Sequence, residues 1–495
     1  MNTYERIGNE DPISTLCRMA INTTYDDIPD YVLQYSKYSI LDTIGVMIGG
    51  SAMDGIRQVV DSVKEKGGKP ESNIVFYGGK VPAAEAAMAM GPMSRSMDFA
   101  QIHPEALHCT EYTVPVLLAA LGLKEKVSGK EFLTAFTLGQ EIGIRIGMGL
   151  KPTRGIPLGI SAGHYIFGCV ATVGKLIGLN QNDFENAEGI GREMTQPHDT
   201  AMMHPVTLML KVHQGFICQD AITCCELAKR GITGTRGEVL TGPRGYLSFP
   251  RWQTEPDALL KDLGTKWELM DAEFKPYIGG VCAHAPISGI IDQMGDNKFA
   301  IADIEHITVD LPPVGWQLLC AGKSGSEDKW VEPCESMGAS QENLDGGRAI
   351  EDKWNPKSAY DCQFSLPFLI ATAAIDNDVF LTSFEEDTRN RTNVRDLMKI
   401  ISATEDTSLP AWSGRVTTTL KDGRKLSDIY LYEELKGTSK NPYTEEELVA
   451  KFKKSVPYSV YQFSDSVIDS VIDTILNLEK SQDIVKDLVL PLMPR

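Results

Sequence analysis

Apolar residues recur at helical spacing through roughly the first 270 residues of the chain. Over residues 31–49 the large apolar side chains fall on one broad stripe, which predicts an amphipathic helix. Thr113 is predicted to cap a further helix that carries Pro115 in its first turn. Gly178 and Gly231 are predicted to end helices. The helix capped by Thr113 is predicted to run through residues 116–123, and the same pattern predicts more helices over residues 82–90, 130–149, 169–178, 183–193 and 215–230.

The pattern changes near residue 270. Residues 304–311 alternate between apolar and polar, as expected of a half-buried strand. Residues 415–420 and 424–431 flank Asp422-Gly423, which predicts a β-hairpin. Helical spacing predicts four more helices, over residues 364–374, 393–401, 444–454 and 464–480.

These patterns predict a mainly α protein, with a large all-helical domain and a smaller α+β lid domain. Because the last part of the chain is helical again, we expect the helical domain to be discontinuous, formed by residues 1–270 and 436–495. Residues 271–435 would form the lid. Residues 321–352 are polar and rich in Gly, Ser and acidic residues, so we expect a long surface loop, inserted in the lid.

The composition is that of a globular enzyme, and the charge narrows the choice of partners. Of the 495 residues, 42% are hydrophobic and 23% are charged, and the net charge is −19. That excess of negative charge argues against nucleic acid or an anionic membrane as the main partner, because both bind basic surfaces. The longest apolar stretches are too short to span a bilayer, and the ten cysteines form no CxxC pair. We therefore expect a cytoplasmic protein with buried, reduced thiols.

The stretch SMDFAQIHPEALHCTE, residues 96–111, concentrates groups that can carry protons. Pro104 interrupts helical structure, so His103 and His108 are expected in a loop between helices, with Asp98 at the end of the preceding helix. An aspartate and a histidine can exchange protons with a substrate near neutral pH. The alternative is a solvated loop whose aspartate caps a helix. The residues by themselves leave both interpretations open.

A second candidate stretch, EFKPYIGGVCAHAP, covers residues 273–286. Lys275 falls at the predicted domain junction, where ligand clefts often form, and a lysine there can hold a carboxylate. Gly279-Gly280 would let the backbone approach a ligand closely. The alternative is a surface lysine in a linker. His284 is interpreted as a hydrogen-bonded, partly buried histidine rather than as an acid or base.

A third stretch, MMHPVTLMLKVHQG, covers residues 202–215. Lys211 lies in an apolar run, so its ammonium must reach solvent, pair with an acid or meet a ligand. We favour a ligand-binding role for Lys211 and a structural role for His213. His198 and His204 lie just upstream in a loop bounded by prolines.

These three stretches, in this order, resemble the MmgE/PrpD family, which includes 2-methylcitrate dehydratase, cis-aconitate decarboxylase and iminodisuccinate epimerase. The resemblance also covers LDTIGVMIGG, GKLIGLNQNDFENAEGI, AKRGITG, TGPRGY, AYDCQFSLPFLIA and NPYTEEELVAKF, and so runs over most of the chain. It implies a large helical domain with an α+β lid and an active site between them. It also implies a homodimer, no metal and no organic cofactor. The implied chemistry is proton transfer next to a carboxylate, with loss of water, loss of CO2 or inversion.

The family's site residues can be carried over to matching positions. Asp98 and His108 match the acidic and histidine positions of its first active-site loop, and Lys275 matches the lysine of its FKxx motif. The resemblance therefore implies that these three residues are catalytic, the first two handling protons and the lysine neutralising a substrate carboxylate. The residues expected to bind substrate are Gln101, His103, His164, His204, Lys211, Gly280 and His284.

Three positions depart from the family pattern. The histidine before its glycine-rich helix falls near Gly159, and a lysine falls on Leu210, with Lys211 one place later. The histidine that the decarboxylase carries five residues after its lysine becomes Gly280. A changed substrate follows from these departures more readily than an unchanged one. The residues that can compensate are His164, His198, His204 and Lys211.

The expected function is that of a cofactor-independent lyase, a dehydratase or decarboxylase, acting on a small di- or tricarboxylic acid. Two alternatives stay open. An epimerase or other isomerase of a dicarboxylate would exchange a proton with no leaving group. A binding homologue would keep the fold without the chemistry.

Overall fold

The computed structural model describes residues 4–108, 110–150, 163–195, 207–248, 254–297, 299–321 and 353–494. The protein is mainly α, with one small sheet in the C-terminal half, as the sequence predicts. Beyond Ala321, the predicted long loop 321–352 lies outside the described residues. The helices described before residue 250 are α1 Pro12–Asn22, α2 Asp30–Gly50, α3 Ile56–Lys66, α4 Ala83–Arg95, α5 Thr110–Ala120, α6 Gly129–Gly149, α7 Tyr165–Ile177, α8 Gln181–Met194 and α9 Met209–Lys229.

The second half of the chain holds shorter helices and the sheet. Its helices are α10 His284–Asn297, α11 Pro313–Cys320, α12 Ala359–Cys362, α13 Leu366–Asp376, α14 Leu381–Phe384, α15 Glu386–Arg389, α16 Thr392–Met398, α17 Glu445–Ser455 and α18 Asp465–Leu476. The strands of the whole chain are β1 Ser72–Asn73, β2 Lys80–Val81, β3 Ile102–His103, β4 Leu107–His108, β5 Ile304–Leu311, β6 Ile401–Glu405, β7 Gly414–Leu420 and β8 Lys425–Tyr430.

Helices α4 and α9 cross at a pair of glycines. A β-carbon on Gly91 would lie 2.8 Å from the backbone nitrogen of Gly215, and one on Gly215 would lie 2.6 Å from the carbonyl oxygen of Met88. The two backbones can approach this closely only because both residues lack a side chain. The crossing holds the end of α4 and the start of α9 together, and both ends contribute to the site described below.

Helix α5 begins three residues before the predicted cap. Its first residue is Thr110, so the prediction that Thr113 caps this helix with Pro115 in its first turn was wrong. Pro115 lies inside the helix and has no N–H to donate to the carbonyl of Glu111, four residues earlier. The hydroxyl of Ser94 on α4 donates to that carbonyl instead, at 2.6 Å. A neighbouring helix thus satisfies the acceptor that the proline leaves open, which the local pattern could not reveal.

The sheet has the strand order β6-β5-β7-β8. Strand β5 runs parallel to β6 and antiparallel to β7, which pairs with β8 as the predicted hairpin. Gly423, with φ of 91°, occupies the predicted turn. The helix predicted over residues 393–401 ends at Met398, and Ile401 already belongs to β6, so the sequence missed this strand.

The C-terminal helices pack on the N-terminal ones. A β-carbon on Gly45 of α2 would lie 3.0 Å from Cα of Phe452 on α17, and Lys451 forms a 2.7 Å ion pair with Asp42. The apolar residues of α17 and α18 join the same core as those of α1–α9. A second core lies around the sheet, α10 and α13. The proposed domain boundaries at residues 270 and 435 stay a prediction.

The helices and the cysteines of the described part of the chain agree with a globular protein. None of these helices is both long enough and apolar enough to cross a bilayer. The described cysteines are all buried and free of disulfide bonds, as predicted; they are Cys17, Cys169, Cys218, Cys224, Cys225, Cys282, Cys320 and Cys362.

Candidate active site

After α4, residues 102–108 form a hairpin of two short strands rather than an open loop. Strands β3 and β4 pair antiparallel, with Ile102 opposite His108. The imidazole of His103 closes the turn, because its Nδ1 accepts the backbone N–H groups of Glu105 and Ala106 at 3.1 and 3.0 Å. His103 therefore stabilises the turn, and His108 ends β4, two residues before α5 begins.

The hairpin also brings the second candidate stretch to the first. The backbones of Ile102 and Glu273 exchange two hydrogen bonds, of 2.9 and 2.7 Å. Two residues further along, the Nζ of Lys275 lies 2.7 Å from Oδ1 of Asp98 and 3.2 Å from its carbonyl oxygen. The structure therefore brings two of the three predicted catalytic residues into direct contact.

Asp98 lies between two cations. Its Oδ1 accepts from Nη1 of Arg95 at 2.5 Å as well as from Lys275, and all three residues are buried. Burial alone would raise the pKa of Asp98, but the charges of Arg95 and Lys275 outweigh it and hold the pKa well below its usual range. Asp98 has a φ of 52°, a left-handed conformation that aspartate tolerates better than most residues. The carboxylate is thus a fixed anion that positions two cations.

His108 faces the same guanidinium. Its Nδ1 lies 3.1 Å from Nη1 of Arg95 and 3.4 Å from Oε1 of Glu111. Burial and the Arg95 charge lower the pKa of His108, and Glu111 opposes them. Burial would raise the pKa of Glu111, but Arg95 and His108 lower it to about 2. These described contacts use only the Nδ1 atom of His108 and do not involve its Nε2 atom.

Lys211, on α9, belongs to the same buried group of charges as Asp98, Arg95 and Lys275. Its Nζ donates to Oε1 of Gln363 at 2.5 Å, and Nε2 of Gln363 donates to the carbonyl of Ser96 at 3.1 Å. Burial lowers the pKa of Lys211 to about 7, although Asp98 partly opposes this shift. Its amine therefore changes charge near neutral pH, unlike an exposed lysine.

Other predicted residues lie around this group. His284 is buried with Nε2 3.3 Å from the carbonyl of Gly279, and burial together with Lys275 lowers its pKa to about 3, which matches its interpretation as a hydrogen-bonded histidine. A β-carbon on Gly280 would lie 3.1 Å from Leu319 and 3.3 Å from Phe364. A histidine at this position would therefore need the Phe364 ring to move.

The remaining predicted residues either contact residues outside this group or lie outside the described part of the chain. Gln101 donates to the Tyr35 hydroxyl at 3.2 Å. His164, at the start of α7, packs against the Tyr165 ring at 4.2 Å between ring centroids. His198, His204 and Gly159 lie outside the described residues.

Sequence reasoning missed three residues of the group. Arg95 contacts Asp98, His108 and Glu111, yet only its spacing of three residues before Asp98 hinted at a role. Glu111 stands three residues after His108, and the same spacing could have suggested it. Gln363 comes from a distant part of the chain; it lies in AYDCQFSLPFLIA, a stretch of the family resemblance, but nothing in that stretch marked it as a site residue. Within the described ranges, no three His, Cys, Asp or Glu side chains are grouped so as to hold a metal ion.

Comparisons with known proteins cover nearly the whole chain. A family model for the MmgE/PrpD N-terminal domain matches residues 14–256, and one for the MmgE/PrpD C-terminal domain matches residues 279–475. A cis-aconitate decarboxylase from Aspergillus terreus is 24% identical over 95% of this chain and 94% of its own length. Proteins of the same name from Homo sapiens and Mus musculus are 23% and 21% identical over 92% of this chain, covering 89% and 88% of their own lengths.

Proposed function

Since the chain belongs to the MmgE/PrpD family, we propose that it is a cofactor-independent carboxy-lyase for a small unsaturated di- or tricarboxylic acid of the cis-aconitate type. The relatives that match it over more than nine tenths of its length are named decarboxylases, which are lyases. The observation that carries the proposal is the buried group of Arg95, Lys275 and Lys211 around Asp98, with His108 beside it.

The donors of this group suit a carboxylate ligand. A protonated lysine has three N–H donors. Among the described contacts, Lys275 directs its donors at Asp98 alone and Lys211 donates once, to Gln363. Donors on both ammonium groups therefore remain for a substrate, in surroundings where charge–charge attraction is stronger than in water.

The proposed reaction breaks one carbon–carbon bond and forms one carbon–hydrogen bond. The bond between the departing carboxylate and the adjacent carbon breaks, and CO2 leaves. The electron pair stays on the substrate and spreads through the double bond toward a retained carboxylate. A fixed cation beside that carboxylate stabilises the developing charge, and we assign this role to Lys275.

A proton must then be added to carbon, and His108 is the assigned donor. Its Nδ1 faces Arg95 and Glu111, which leaves Nε2 for the substrate. Because the pKa of His108 is lowered, its imidazolium is a stronger acid than an exposed one. Solvent restores the proton after each turnover.

Asp98 is better suited to hold cations than to move protons. A carboxylate with two cations against one oxygen and a low pKa is a weak base. We therefore assign Asp98 to the positioning of Lys275 and Arg95. The interpretation of Asp98 as a proton carrier stays a prediction.

The test is proton NMR of the purified protein with cis-aconitate in D2O. Decarboxylation is expected to give a new pair of vinylidene signals, loss of one carbon as CO2, and one deuterium at the newly formed C–H bond. His108→Ala is expected to lower kcat by about a hundredfold or more, the scale of general acid–base catalysis. The control is His306→Ala. The His306 ring, on β5, is hydrogen-bonded to Ser402 within the sheet, so this replacement should leave turnover unchanged.

Three outcomes would overturn the proposal. Deuterium exchange without loss of carbon would indicate an isomerase. Addition or loss of water with citrate or methylcitrate would indicate a dehydratase. Full turnover by His108→Ala would remove the assigned proton donor.

A further inference from the structure

Two stretches of the family resemblance each carry a buried charged residue outside the candidate active site. Asp42 lies in LDTIGVMIGG on α2, and Lys451 lies in NPYTEEELVAKF on α17. The Nζ of Lys451 lies 2.7 Å from Oδ1 of Asp42, and the two side chains are 7% and 0% exposed. Burial lowers the pKa of Lys451 and raises that of Asp42, and the charge of each residue opposes the shift of the other. Each charge therefore depends on its partner.

The ion pair lies where α2 and α17 cross closely. A β-carbon on Gly45, three residues after Asp42, would lie 3.0 Å from Cα of Phe452, the residue after Lys451. The glycine lets the two helices approach at the level of the ion pair, because no side chain separates the backbones there. The crossing therefore fixes where the lysine side chain starts and in which part of the fold it ends.

The same lysine contacts the loop that carries Asp98. Its Nζ donates to the carbonyl of Phe99 at 3.2 Å and lies 3.9 Å from the centroid of the Phe99 ring. The backbone N–H of Gln101, two residues further on, lowers the pKa of the Asp42 carboxylate. Because Phe99 directly follows Asp98, Lys451 acts on the backbone one residue away from the candidate active site.

This loop, residues 96–101 between α4 and β3, has carbonyl groups that are bound by side chains from distant parts of the chain. The carbonyls and their donors are Ser96 with Gln363, Asp98 with Lys275, and Phe99 with Lys451. Asp98 has a φ of 52°. A residue other than glycine keeps a left-handed conformation only where its surroundings hold it. The three donors supply such surroundings.

Two of these donors are lysines on successive carbonyls. Lys275 binds the carbonyl of Asp98 and Lys451 binds that of Phe99, and the charge of Lys275 lowers the pKa of Lys451. Each lysine also has its own carboxylate, which is Asp98 for Lys275 and Asp42 for Lys451. Without Asp42, burial and the charge of Lys275 would both favour a neutral Lys451. Asp42 therefore keeps a charged donor on the Phe99 carbonyl.

We propose that Lys451 and Asp42 are positioning residues for the reaction. Lys451 holds the carbonyl of Phe99, and Asp42 keeps Lys451 charged. Together they fix the loop whose Asp98 carboxylate orients Lys275. They act through Asp98 rather than on the substrate, and a displacement of about 1 Å at reacting groups can lower a rate by about a hundredfold. This inference rests on the proposed function and adds residues of α2 and α17 to it.

The main test is Lys451→Met, which keeps the length of the side chain and removes its charge and its donors. The kcat for cis-aconitate, measured by NMR, should fall by about tenfold to a hundredfold. The KM should change by no more than a few-fold, because the loop orients groups that act in the transition state. Hydrogen–deuterium exchange without substrate should become faster over residues 96–102, where the N–H groups of Asp98 and Ile102 are hydrogen-bonded.

A double variant separates positioning from stability. Asp42→Asn with Lys451→Met removes both charges and leaves no unpaired buried charge, so its Tm should exceed that of Lys451→Met alone. Its kcat should stay low and its exchange over residues 96–102 should stay fast, because the Phe99 carbonyl still lacks its donor. Recovery of kcat together with Tm would show that the pair only stabilises the fold. The double variant also serves as the test if Lys451→Met does not fold.

A matched control removes a similar lysine on the same helix. Lys37 on α2 is buried, lies 2.6 Å from Oε2 of Glu479 and donates to the carbonyl of Leu476 at 3.2 Å. Lys37→Met should leave kcat, KM and the exchange over residues 96–102 unchanged. An equal fall of kcat in this control would trace the effect to general destabilisation and would overturn the positioning role.

The outcomes separate this inference from the proposed function, because hydrogen exchange needs no turnover. Unchanged kcat in Lys451→Met, with decarboxylation by the unmodified protein, would overturn the positioning role alone. Faster exchange over residues 96–102 in this variant, without any decarboxylation by the unmodified protein, would support the holding of the loop and overturn the proposed reaction. Unchanged exchange together with no decarboxylation would overturn both.

Discussion

Lys275 and Asp98 are 177 positions apart in the sequence, and the lysine Nζ lies 2.7 Å from the aspartate Oδ1 and 3.2 Å from its carbonyl oxygen. The backbone bridge between Ile102 and Glu273 makes this contact possible, because it fixes the two segments side by side. Arg95 contacts the same oxygen from α4. One anion thus holds two cations in place, and each consequence of its removal can be measured.

Replacement of Asp98 by asparagine should destabilise the protein. It would leave Arg95 and Lys275 close together without their shared anion, and breaking a buried ion pair in this way costs about 3 to 5 kcal/mol. The free energy of unfolding by urea measures the loss. Tricarballylate, a saturated tricarboxylate, should stabilise Asp98→Asn more than the unmodified protein, because its carboxylates can replace the lost charge. The control Asp376→Asn removes a half-exposed partner of Arg391 and should cost about 0 to 1 kcal/mol.

Lys211 should set the upper limit of the pH range of activity. With a pKa of about 7, its amine is charged below that pH and neutral above it. If the charged form holds a substrate carboxylate, kcat/KM should fall as pH rises through about 7. The arginine of Lys211→Arg stays charged over the whole pH range. The fall in kcat/KM should therefore move to higher pH or disappear, even if the variant is slower at every pH. An unchanged pH profile in this variant would show that the fall belongs to another group.

Glu111 should control the protonation of His108. The carboxylate lies 3.4 Å from Nδ1 and favours the imidazolium, whereas Arg95 and burial oppose it. Glu111→Gln should therefore lower the pKa of His108 further. Titration of the ring nitrogens of His108 by NMR measures this shift directly. A raised pKa of His108 in Glu111→Gln would contradict this account of its electrostatics.

Ser94 should matter because of Pro115. Ser94→Ala would leave the buried carbonyl of Glu111 without the 2.6 Å hydrogen bond that Ser94 donates, at a cost of about 1 to 3 kcal/mol. Pro115→Ala restores an N–H four residues after Glu111, which can donate to that carbonyl within the helix. The double variant should therefore be more stable than the sum of the single effects. Strict additivity in urea unfolding would falsify the link between the two residues.

The sequence by itself determined the fold class and much of its detail. Apolar spacing placed α2 and α6 within a few residues, and alternation placed β5 at its observed limits. The turn at Gly423 followed from glycine's access to positive φ. These features depend on local periodicity and local backbone preference, so a short window of residues contains the information that they need.

Only the tertiary structure decided which charged groups meet. Arg95, Glu111 and Gln363 became part of the site through the crossing of α4 with α9 and through the bridge to Glu273. The carbonyl that Pro115 leaves open in α5 accepts from a hydroxyl on another helix, and Lys353 lies over the Phe364 ring although its segment has no recognisable motif. Burial lowers the pKa of Lys211, whereas neighbouring cations hold the pKa values of Asp98 and Glu111 low against burial, because removal from water penalises charge unless an opposite charge is near. Neither burial nor such proximity is a property of a short stretch of chain, so both had to come from the packed structure.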